Sequence, residues 1–227
     1  LLNYQEFYFR NARYGDGRNT GGSAQEFIRN TTNWIGTQTL TYDKTFADGH
    51  NFNVLAGYES QNSSRRSVRA FGEQFPPNPN LRTLENAAAG DPATSFLDEF
   101  SFTSLFGQLN YNYNYKYYVS GSLRRDGSSR FGSENRYGLF WSGGLSWRLD
   151  QEDFIKNIDF IDALKLRTSY GITGNAGIGN YVALSTIAFN FDYDGAPAGA
   201  PNEIGNQELT WEESASFNIG LDFTIFN

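Results

Sequence analysis

Apolar and polar residues alternate one by one along much of the chain. From Tyr137 to Leu149 the odd positions are Tyr137, Leu139, Trp141, Gly143, Leu145, Trp147 and Leu149; the even ones are Gly138, Phe140, Ser142, Gly144, Ser146 and Arg148. Successive side chains of a strand point to opposite faces, so this period predicts a strand with one apolar and one small or polar face, Phe140 being the exception. The split recurs at Thr103–Tyr115, where Leu105, Leu109, Tyr111 and Tyr113 oppose Gln108, Asn110 and Asn112. It returns at Leu164–Ile172 and at Trp211–Ile225. Charge on the apolar faces falls only near strand ends, as at Arg125 and Glu213.

Eight strands are expected, near 2–10, 28–42, 51–61, 101–113, 117–126, 137–149, 163–173 and 211–225. Several run about 10–15 residues, against ~5–6 in ordinary sheets. At ~3.4 Å per residue and ~40° of tilt, 13 residues climb roughly 34 Å, enough to cross an apolar band ~25 Å tall. Connections alternate in length. Short turns are expected near Asp43–Asn51 and Asn114–Lys116, with a compact one at Asp150–Asp162 that holds a single helical turn. Long loops are expected at Arg10–Phe27, Gln61–Phe100, Asp126–Arg136 and Gly174–Leu209. Outer-membrane barrels are built with long loops outside and short turns in the periplasm. A further crossing at Tyr181–Asn190 would reverse the parity of the last strand, so that segment is assigned to a long loop or its rim. The fold class is therefore all-β, part of an antiparallel transmembrane β-barrel, and residues 1–227 form part of a single barrel domain.

Composition sharpens this. The chain has 20 Phe, 14 Tyr and 4 Trp, yet its net charge is −7 and its mean hydropathy −0.54, as suits strands that are apolar on one face. No apolar run approaches the ~18 residues of a membrane helix. There is no cysteine, hence no disulfide or thiolate site, and the acidic balance argues against nucleic acid as a partner. The tyrosines at 111, 113, 115, 117 and 118 gather at one short turn, where an interfacial girdle would sit. The chain opens in mid-pattern at Leu1-Leu2-Asn3-Tyr4 and lacks Met, which reads as an internal piece of a longer protein.

The run Tyr117-Tyr118-Val119-Ser120-Gly121-Ser122-Leu123-Arg124-Arg125-Asp126-Gly127-Ser128-Ser129-Arg130-Phe131-Gly132, then Asn135-Arg136-Tyr137-Gly138-Leu139-Phe140, resembles the barrel of SusC/RagA-type TonB-linked outer-membrane transporters of Bacteroidetes. So do Glu152-Asp153-Phe154-Ile155-Lys156-Asn157, Leu164–Asn175 and Leu209–Phe223. The resemblance implies a plugged barrel of roughly 22 strands, a size known among such transporters, of which about eight are present. It implies import of glycans or peptides, powered through TonB, with a SusD-like surface lipoprotein as partner and the outer-membrane bilayer as surroundings. No plug, TonB box or closing strands occur in this chain, so contact with TonB falls to an N-terminal region outside it.

No catalytic residue, cofactor or metal site is expected. His50 is the sole histidine, next to Asp48-Gly49, and reads as a solvated turn residue; no serine elbow accompanies it. Asp192-Tyr193-Asp194-Gly195 looks like the start of a calcium loop but lacks the closing ligands. Arg124, Arg148, Lys165 and Arg167 fall on the polar faces and are expected to face the lumen, paired with carboxylates of wall or plug or steering an anionic substrate. Loop aromatics Phe71, Phe75, Phe96 and Phe131 either stack on sugar rings, dock a partner or pack their own loops. Two other readings share the strand pattern: a passive porin or structural barrel, and a soluble carbohydrate-binding β-sandwich.

Overall fold

A computed structural model describes residues 1–158 and 160–225. Among them are ten strands: β1 (Leu2–Arg10), β2 (Ser23–Phe46), β3 (His50–Glu73), β4 (Thr94–Tyr113), β5 (Tyr117–Ser128), β6 (Tyr137–Arg148), β7 (Ile161–Asn175), β8 (Thr186–Tyr193), β9 (Ala196–Glu203) and β10 (Glu212–Ile225). Eight form one sheet in the order β1-β2-β3-β4-β5-β6-β7-β10, and β8 and β9 form a hairpin of their own. The Tyr181–Asn190 segment thus enters no barrel-wall strand, and β10 returns to pair with β7 as the parity argument requires.

The register tests the two-face reading residue by residue, since directly opposed residues share a face. On one face Tyr113, Tyr117, Trp147, Leu166 and Leu221 stand in a row; further along, Leu105, Arg125 and Leu139 do the same. On the other, Gln108, Ser122, Ser142, Gly171 and Ser216 form a row, as do Asn110, Ser120, Gly144, Ser169 and Asn218. Apolar mostly opposes apolar and polar mostly opposes polar across β4, β5, β6, β7 and β10, the exceptions being Arg125 between leucines and Arg124 between phenylalanines. A one-residue slip in any strand would turn its leucines and aromatics to the polar side.

The ends of the expected strands differ from those found. The segments 28–42 and 51–61 belong to strands of 24 residues each, and β4 starts at Thr94 rather than near 101. The loop expected over Gln61–Phe100 therefore shrinks to 74–93. Here Asn62, Ser63, Ser64, Arg65 and Arg66 continue β3 without apolar alternation, because a ladder needs only backbone partners. The turn at 114–116 is as expected: Asn114 and Tyr115 have φ of 50° and 54°, and Lys116 N–H donates to the Tyr113 carbonyl (2.9 Å). Asp153–Lys156 makes the one expected helical turn. No helix of the described residues is long and apolar enough to cross a membrane.

Contacts group the chain into two compact units. One comprises Leu1–Trp34 and Asn62–Phe100. It is held by the β1–β2 ladder, by an Arg65–Asp98 ion pair and by Phe75, buried edge-on against Phe9 (5.3 Å between centroids). The other comprises Ile35–Gln61 and the chain from Ser101 onward. Its buried cluster is Phe131, Phe140, Ala176 and Trp211, with Phe102, Ile172, Ile178 and Leu209 against it. Phe140, the one large apolar residue that β6 places on the polar face, is accounted for here: its ring lies against Trp211 (5.3 Å) and occupies the position a Cβ on Gly174 would take.

Candidate functional site: the polar face of the wall

The polar face of the second unit carries charge in tight pairs. Arg124 stands opposite Phe106 and Phe140 in register. Its guanidinium donates to Asp126 (2.6 Å) and Ser104 Oγ (2.7 Å) and lies 3.5 Å from Glu59. Arg167 donates to Asp222 across β7 and β10 (2.7 Å). Arg148 donates to Asp150 (2.6 Å), a carboxylate that is buried. Burial pushes Asp150 up, but bonds from Arg148, the Gln151 amide and the Leu164 N–H outweigh it and leave the pKa below the ordinary aspartate value. Lys165 makes no ion pair among the described residues; its ammonium lies over the Tyr118 ring (5.1 Å). Three of the four basic residues named from the sequence are thus neutralised by wall carboxylates.

An amide network extends this face toward the short turns. Asn53 donates to Asp43 (2.6 Å), Asn110 to Asn53 (3.1 Å) and Asn51 to Asn112 (2.9 Å), while Thr45 Oγ1 donates to Asn51 (2.8 Å). At the other end a cleft of about 350 Å³ is bounded by Glu59, Gln61, Ser104, Arg124, Asp126 and Asn175.

Glu152, just before the helical turn, ties the aromatic row together. Its carboxylate accepts from Lys116 Nζ (2.6 Å), Tyr117 Oη (2.7 Å) and Trp147 Nε1 (2.8 Å). The Lys116 bond, then the Tyr117 bond, hold its pKa below the ordinary glutamate value, and the same bond raises Lys116. His50 is not simply a solvated turn residue. Its Nδ1 lies 2.8 Å from Tyr111 Oη, and its ring lies 4.7 Å from that of Tyr113, so it joins the tyrosine cluster. Of the loop aromatics, Phe75 and Phe131 are buried and closed to a ligand, whereas Phe96 is exposed. The Asp192–Gly195 segment is the end of β8 and the two-residue turn into β9: Asp194 and Gly195 have φ of 54° and 79°, and Asp192 Oδ1 accepts from Gly195 N–H.

An antiparallel sheet with one large-apolar and one ion-paired face, in strands of membrane-crossing length, is a piece of a β-barrel wall. Residues 2–227 match a family model described as TonB dependent receptor-like, beta-barrel. The chain is 35% identical over 215 residues to TonB-dependent receptor P3 of Formosa agariphila, covering 93% of this chain and 21% of that protein. It is 30% identical over 187 residues to TonB-dependent receptor SusC of Bacteroides thetaiotaomicron, covering 78% and 18%. The structure of the RagAB peptide transporter superposes with a TM-score of 0.92 at 28% identity, over 99% of this chain and 25% of that one. The chain belongs to the TonB-dependent receptor β-barrel family, and spans about a fifth of the length of the curated relatives it matches.

Proposed function

We propose that this chain serves in an outer-membrane importer, not an enzyme. It takes up large nutrients, oligosaccharides or peptides, with energy delivered through TonB and a SusD-like lipoprotein on the outside. Residues 1–227 form part of one barrel domain. Arg124, Arg148, Lys165 and Arg167 face its lumen, loops 74–93 and 176–211 face the cell exterior, and the turn at Asn114–Lys116 faces the periplasm. The observation that carries the reading is the two-faced wall: charges are paired on one side while leucines and aromatics cover the other, in a chain of this family. A passive porin would share the wall, and only energy coupling separates the two. A strain lacking the full-length gene is expected to lose growth on at least one oligosaccharide or peptide given as sole nutrient. The intact gene should restore it; a version cut off from TonB should not. Equal uptake with and without TonB would favour the porin.

A further inference from the structure

Two adjacent arginines of β5 point to opposite faces and meet opposite fates. Arg124 is held by Glu59, Asp126 and Ser104 on the polar face. Arg125 stands on the apolar face, between Leu105 and Leu139 in register. It is exposed and makes no ion pair or side-chain hydrogen bond among the described residues. Its guanidinium lies 4.1 Å from the centre of the Tyr137 ring. That ring leans across Gly127, its direct partner, filling the space a side chain there would need, so the absence of a Cβ sets the ring beneath the cation. Tyr58, Thr103 and Leu105 complete a cleft of about 280 Å³ around the pair.

A ring face engages a guanidinium through its π-surface and leaves the in-plane N–H donors without acceptors. Depth says which acceptor is at hand. Arg125 is eight residues along β5 from Tyr117 in the aromatic row, about 27 Å of strand and about 21 Å of height at ~40° tilt. With Tyr117 at one boundary of an apolar band ~25 Å tall, the Arg125 backbone lies about 4 Å short of the opposite boundary, and its long side chain reaches across that remainder to where lipid phosphates lie. We propose that Arg125, seated on Tyr137 with Thr103 and Tyr58 beside it, is a docking site on the barrel exterior for the phosphate-bearing headgroup of an outer-leaflet lipid. The proposal rests on the membrane orientation given above.

The test uses the full-length protein, purified and stripped of lipid in detergent, with bisphosphorylated lipid A as probe and native mass spectrometry as readout. Arg125→Gln is expected to bind it about fivefold more weakly than wild type, matching ~1 kcal/mol per cation at a membrane surface. Arg125→Lys should keep most of the affinity, and lipid A stripped of both phosphates should bind wild type as weakly as it binds Arg125→Gln. Equal binding of phosphorylated and phosphate-free lipid by wild type would overturn the site, and this comparison needs no variant to fold. Displacement by millimolar inorganic phosphate would also overturn it, assigning the cation to soluble anions. Failure of the protein to float with liposomes would instead sink the membrane reading itself.

Discussion

Trp147 donates its indole N–H to the Glu152 carboxylate at 2.8 Å, fixing the last aromatic of β6 to the turn that follows it. The same carboxylate takes Lys116 and Tyr117, so one ionised group joins the ends of β5 and β6. Because the folded pKa of Glu152 is lowered, its contribution is fully present above the unfolded value of about 4.3 and fades as pH falls through the folded one. Lys116 is raised, so its contribution persists through neutral pH and fades only in the alkaline range. Glu152→Gln in the full-length protein is expected to lower the temperature at which the barrel unfolds in detergent at pH 7. The gap to wild type should close as pH drops below 4; a constant gap would show that charge is not the cause.

Leu123 and Ser122 are neighbours on β5 and differ chiefly in the face they occupy: Leu123 opposes Trp141, Ser122 opposes Ser142. Arginine at a lipid-facing midplane position costs roughly 2–4 kcal/mol. Leu123→Arg is expected to reduce the amount of assembled full-length barrel, and Ser122→Arg to leave most of it. Heat-modifiable mobility on gels reads both. The reverse ranking would mean the faces are exchanged.

Gly174 lies under the Phe140 ring with no room for a side chain. Gly174→Leu is expected to cost about 1–3 kcal/mol by overpacking, measured by urea unfolding of the full-length protein in detergent. Combining it with Phe140→Ala should recover part of the loss. Strictly additive losses would argue against the contact.

Arg148 and Arg167 each hold one aspartate, but Asp150 is buried and Asp222 is half exposed. Arg167→Ala is therefore expected to cost at most about 1 kcal/mol, as exposed pairs do. Arg148→Ala strips a bond from a buried anion and should cost about 1.5–3 kcal/mol. With Asp150 lowered, that cost should be full above the unfolded aspartate value of about 3.9 and vanish as pH falls through the folded one. Equal losses for the two variants would count against this ranking.

Asn78 and Asn202 are exposed residues of the two long excursions, and Asn157 is exposed in the turn before β7. Cysteines placed at 78 and 202 in the full-length protein are expected to react with a membrane-impermeant thiol reagent on intact cells. A cysteine at 157 should react only after the cells are opened. Labelling at 157 alone would invert the proposed sidedness.

The sequence pattern located every strand of the main sheet because one large-apolar face and one polar face enforce a strict period of two. It lost the strands where that constraint ends, at 62–73 and 94–100, since residues such as Ser63 and Arg65 carry no periodic signature. The hairpin of β8 and β9 left a legible trace: Asp194-Gly195 after alternating Ile187, Phe189, Phe191 and Tyr193 is a strong two-residue turn signal. The four basic residues were assignable to the polar face by parity, and Asp126 and Asp150 lie only two residues from Arg124 and Arg148, but the distant partners were not legible. Glu59 and Asp222 lie far from Arg124 and Arg167 along the chain, and only the register brings them together.

In the main sheet each strand lies beside the one before it in the chain, apart from β10, which reaches β7 past the whole excursion bearing β8 and β9. The nascent wall can therefore grow like a zip, each new hairpin laid on the edge left by its predecessor, until it meets this gap. There the chain must close a much longer loop before the next pairing is rewarded. Doubling a loop adds only about 0.6 kcal/mol to the equilibrium cost, yet non-local pairing slows formation. The β7–β10 boundary is thus where assembly is expected to pause. Early capture of the Phe131–Trp211 contact, which ties the β5–β6 loop to the start of β10, would shorten that wait.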